Sequence, residues 1–74
     1  MRLRQRIAAN IRHLRREKGW SQEELAARAG IHRTYMGAVE RSEKSISADV
    51  LEKLGEALEV DAAVLLTQAK ITDT

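Results

Sequence analysis

Between Ser21 and Arg41 two short helical patterns meet at a single glycine, and the join leaves no room for a strand or a long loop. Ser21 followed by Glu24 is a capping box, in which each side chain takes up a backbone amide that a helix start leaves free. Trp20 before the cap and Leu25 after it form the accompanying hydrophobic staple, which explains the single tryptophan as a lid on the helix start. That helix runs to Ala29 and stops at Gly30, a residue that accepts positive φ without a Cβ penalty. Ile31 restarts the apolar pattern, and Met36 and Val39 follow it on the inner side of a helix from about residue 32 to 41. Two helices crossing at about 100° through such a turn need a small side chain near the crossing, and Ala26 supplies it. Leu25, Ala29, Ile31, Met36 and Val39 then close a small core beneath the pair.

The same periodicity extends to both flanks. Leu3, Ile7, Ile11 and Leu14 recur at helical steps on a segment otherwise studded with arginine, predicting a first helix that ends at Gly19. Ser47 caps a fourth helix carrying Val50, Leu51, Leu54, Ala57 and Leu58, and Asp61 caps a fifth carrying Val64, Leu65 and Leu66. Strict apolar alternation is absent, so no strand is expected. The expectation is an all-α, compact five-helix bundle forming one domain over residues 1–68, with a frayed tail over 69–74. No cysteine is present, so neither a disulfide nor a thiolate metal site supplements so small a core. No apolar run approaches the ~20 residues of a membrane span, and the basic amino terminus lacks the apolar stretch of a secretory signal, so a cytoplasmic chain without membrane contact is expected.

Charge is distributed unevenly. Residues 1–18 hold seven bases and one acid, 19–47 hold four of each, and 48–74 hold two bases against six acids. This gradient suits a molecule that turns one face to a polyanion, and it is equally compatible with arginines that coat a solvated helix. Catalytic readings find little support. His13 and His32 fall on different predicted helices, the carboxylates have no Ser or His arrangement beside them, and there is no glycine-rich phosphate loop. A non-enzyme with no metal, cofactor or small-molecule ligand is expected.

The stretch from about Ile7 to Leu66 resembles the Cro and phage-repressor type of helix-turn-helix DNA-binding domain, the lambda-repressor-like fold. Ser21-Gln22-Glu23-Glu24-Leu25-Ala26 is similar to its S-Q-x-x-L-A signature, and Gly30-Ile31 to the turn that follows. Val39-Glu40-Arg41 resembles the family's hydrophobic-E-R/N-G run, with Ser42 where a glycine is expected. Arg33-Thr34-Tyr35 followed by Gly37 is similar to the controller proteins of restriction-modification systems, which are small dimeric regulators.

The resemblance implies roles residue by residue. Arg33, Thr34 and Tyr35 would read bases in the major groove, Arg33 through a bidentate grip on guanine. Tyr35 reads either as such a contact or as half-buried filler. Gln22 would bond a phosphate at a helix amino terminus, with Arg41 and Lys44 adding backbone contacts, while Glu43 brings a negative charge to the same loop. Gly37 and Ala38 would let the helix approach the groove. Arg15 and Glu40 would form a structural ion pair between the first and third helices, and Val64, Leu65 and Leu66 would form a dimer face. The implied partners are double-stranded DNA and a second copy of the chain, arranged on an inverted-repeat operator. An antitoxin or phage-type repressor of the same fold, and a helical protein-interaction module without DNA binding, remain alternatives.

Overall fold

The structure, a computed structural model, describes residues 2–67; the tail expected over 69–74 lies outside the described residues. The apolar stripe of the basic segment forms α1 (Leu3–Glu17), followed by α2 (Gln22–Ala29), α3 (Arg33–Glu40) and α4 (Ala48–Leu58). A 3₁₀ helix over Ala62–Leu66 completes the order, and there is no strand among the described residues.

Three of the starts follow from short polar caps. Ser21 Oγ accepts from the Glu24 amide, Ser47 Oγ from Val50 and Asp61 Oδ1 from Ala63, so each removes one amide that the first turn leaves free. The capping box at Ser21 is only half made, because the Glu24 carboxylate turns to Arg28 Nε at 2.7 Å instead of returning to the cap. At α3 the cap is His32, whose Nδ1 accepts from the Thr34 amide at 3.2 Å. Gly30 closes α2 at φ +70°, and Gly19 follows α1 at φ +73°, the left-handed geometry their positions call for.

The expected fifth α-helix is corrected to a 3₁₀ turn of five residues. Its carbonyls are drawn sideways: Asn10 Nδ2, on buried α1 surface, donates to Leu65 O and to Thr67 O at 2.8 Å each. Thr67 is extended, at φ −76° and ψ 160°, so the ladder ends there. The approach of α4 to this turn is tight. A Cβ at Gly55 would stand 2.9 Å from Val60 O and 3.2 Å from Ala62 Cα, so glycine is needed for the chain to double back.

Ile11, Leu25, Met36, Leu54, Leu58 and Leu65 are the largest fully buried side chains, and they come from all five elements. α1 lies against α3, α4 and the 3₁₀ turn, while α2 packs on α3 and α4. Held on two flanks, α3 buries Met36 through Glu40 and leaves only its first turn facing out. Trp20 packs partly on the core with the Arg28 guanidinium 4.3 Å from its ring centroid, consistent with a lid at the start of α2.

Candidate nucleic-acid interface

Two helix amino termini, those of α2 and α3, define the candidate site. At α2 the Ser21 side chain satisfies Glu24 N and the Ser21 carbonyl accepts from Leu25 N, which leaves the amides of Gln22 and Glu23 without an intrahelical acceptor. Such an end carries partial positive charge and suits an anion. Arg33 and Thr34, the first residues of α3, are exposed.

Behind this edge stands a buried carboxylate. Glu40 is 3% exposed, and Arg15 grips it with Nε on Oε2 at 2.8 Å and Nη2 on Oε1 at 3.0 Å. Gln22 Nε2 donates to the same Oε1 at 3.1 Å, and Arg12 Nη1 donates to the Glu40 carbonyl. Arg15 Nη1 also donates to Trp20 O at 2.9 Å, so one guanidinium ties the α1–α2 join to α3. A buried charge is tolerable only when its oxygens are filled this way. The amide of Gln22 is consequently oriented: one of its hydrogens is spent inward, and the other remains for an outside acceptor.

The outer charges are arranged differently. Arg33 Nη1 lies 3.2 Å from Glu23 Oε2, and Arg41 Nε lies 3.1 Å from Glu43 Oε1, all four side chains being more than half exposed. Lys44 is exposed in the loop after α3. Tyr35 is half-buried, with its hydroxyl donating to Ser45 O at 2.9 Å, so in this state it braces the loop rather than presenting a free donor.

The geometry buries three of the expected site residues, Gly37, Ala38 and Leu65. Gly37 and Ala38 are buried and do not line an open surface, because the Arg41 guanidinium lies over Gly37 and α3 turns Ala38 inward. A Cβ at Gly37 would meet Arg41 Nη1 at 3.1 Å and Gln22 Oε1 at 3.6 Å, so the glycine makes room for these two side chains. Leu65 is fully buried in the core of its own chain and has no surface for a dimer; Val64 is 42% exposed and Leu66 is half-buried. Ser42 stands at φ +62°, the left-handed conformation that explains why a glycine is the expected residue there.

A helix-turn-helix model matches residues 11–65, which takes in all of α2, α3 and α4. The chain belongs to the helix-turn-helix family. This helix-turn-helix protein is 50% identical over 64 residues to a hypothetical transcription factor of Neisseria meningitidis, covering 86% of this chain and 60% of that protein. It is 42% identical to the control protein C.SmaI of Serratia marcescens, covering 84% of this chain and 74% of that one. The solved structure of the Neisseria factor superposes with a TM-score of 0.90 at 46% identity, over 93% of this chain and 79% of that one. A solved complex of the biofilm regulator SinR with DNA matches with a TM-score of 0.79 at 37% identity, over 82% of this chain and 98% of that one. The chain thus spans under two thirds of the Neisseria factor's length. These relatives are transcription regulators rather than enzymes. Among the described residues no helix is long and apolar enough to cross a membrane, and no group of three or more metal-ligating side chains occurs.

Two residues of the site escaped sequence reading. Glu23 lies within a recognisable motif, yet its pairing with Arg33 depends on the α2–α3 crossing. His32 is a weak capping type, and only the backbone geometry before α3 reveals its role.

Proposed function

We propose that this helix-turn-helix protein is a sequence-specific DNA-binding transcriptional regulator of the restriction-modification controller type, acting as a homodimer on an inverted repeat. The observation that carries the reading is the juxtaposition of an exposed Arg33-Thr34 turn with the α2 amino terminus and its oriented Gln22 amide. One provides base contacts and the other fixes register on the phosphate backbone. Arg33 can grip guanine O6 and N7, a contact worth ~1–3 kcal/mol of discrimination. Gln22 donates its outward amide hydrogen to a phosphate, with Arg41 and Lys44 adding charge from the loop. Val64 and Leu66 contribute to the dimer face in place of buried Leu65.

Selection from random duplex DNA tests the reading. A two-fold-symmetric consensus is expected, with affinity falling steeply as salt rises. Arg33→Ala relaxes preference at one base pair per half-site. Failure to enrich any sequence, or a flat salt response, overturns the proposal. Sedimentation at micromolar concentration yielding only the 8.3 kDa monomer overturns its dimeric part.

A further inference from the structure

Glu23 occupies the proposed DNA edge without packing on the core. It is the second residue of α2, next to Gln22, and its Oε2 meets Arg33 Nη1 at 3.2 Å across the helix crossing. The side chains are 72% and 68% exposed, so the pair does little for stability. A carboxylate on a surface that meets phosphates also weakens DNA binding by repulsion. Its placement against Arg33 nevertheless has a definite chemical effect.

A guanidinium has five N–H donors in a rigid fork. Glu23 engages one Nη1 hydrogen, and enough donors remain for two hydrogen bonds to guanine O6 and N7. A long, untethered arginine at the same place can instead swing to a neighbouring phosphate, a contact that carries no sequence information. The tether restrains the second option and spares the first.

We infer that Glu23 is a specificity-determining residue that acts through Arg33, holding its guanidinium toward the base edges and away from the phosphates. The inference rests on the reading of α3 as the base-reading helix. It assigns Glu23 a positioning role with no obligatory contact of its own to DNA.

The test uses the whole chain as wild type, Glu23→Gln, Arg33→Ala and the double variant, each carried through selection from random duplex DNA and titrated onto an unrelated duplex at several salt concentrations. Glu23→Gln is expected to bind the unrelated duplex about three- to tenfold more tightly, with the log–log salt slope steeper by about 0.9 as Arg33 gains a phosphate. Guanine preference at the position that Arg33→Ala abolishes is expected to fall from about tenfold or more to about threefold. In the Arg33→Ala background, Glu23→Gln leaves base preference unchanged. If Glu23→Gln retains the wild-type preference at that position, whatever its overall affinity, the inference is overturned while α3 keeps its assignment. A wild-type chain that selects no sequence overturns that assignment as well.

Discussion

Arg15 and Glu40 meet at 2.8 Å with side chains 12% and 1% exposed, whereas Arg33 and Glu23 meet at 3.2 Å with side chains 68% and 72% exposed. The chemistry is the same and the environment is not. In the interior, the carboxylate has exchanged water for Arg15 and Gln22, and loss of any donor leaves charge without solvent. On the edge, water replaces either partner at little cost, so the pair contributes little to the fold and acts only on where the Arg33 guanidinium points. One pair fixes the frame, and the other directs a single side chain.

The largest effect that bears on this contrast is expected from Glu40→Ala. Stranding Arg15 should cost ~3–5 kcal/mol in chemical denaturation, a large share of what a domain of this size has. A loss below about 1 kcal/mol would mean that the interior pair behaves like a surface one. Gln22→Ala is expected next, at ~1–2 kcal/mol, because it removes one hydrogen bond to a buried charge. The same variant should weaken binding to all DNA sites alike, measured by titration on matched and unrelated duplexes. A change in base preference instead would place Gln22 with the reading residues.

Gly37→Ala should act in the opposite direction on stability. The nearest obstacle to the new methyl is the flexible end of Arg41, so the helix gains ~0.5–1 kcal/mol in thermal denaturation. DNA affinity should fall in the same variant as the guanidinium is displaced; unchanged affinity would remove Arg41 from the interface. Smallest of all, Glu43→Gln should alter stability by less than ~0.5 kcal/mol, since Arg41 and Glu43 are both 58% exposed. A larger loss would show that the edge also helps to hold the fold.

Local chemistry made the frame readable. Ser21, Gly30, Ser47 and Asp61 each act within a few residues, and each caps or closes an element at its expected place. The Ser21–Glu24 box failed in one half because Arg28, one turn ahead, offers Glu24 a charged partner. What depended on tertiary contact was hidden. Asn10 looks like an ordinary polar residue in α1, but its amide binds carbonyls more than fifty positions away and stops the last helix early. The burial of Gly37 and Ala38 follows from neighbours on two flanks of α3, which no single-helix pattern contains. Glu59 is left-handed at φ +62° where no glycine marks the bend, so the end of α4 had no sequence flag. At the site, Gln22, Arg33 and the Arg15–Glu40 pair were legible from the motif, while the bond from Gln22 to Glu40 and the pairing of Glu23 with Arg33 were not.

The exposed first turn of α3 has a consequence for how such a protein can diversify. Arg33 and Thr34 sit outside the apolar cluster, so their replacement disturbs no buried neighbour. A library randomised at those two positions, with the Glu40 hub left intact, should yield mostly folded variants whose operators differ, allowing one scaffold to acquire new genetic addresses by single steps.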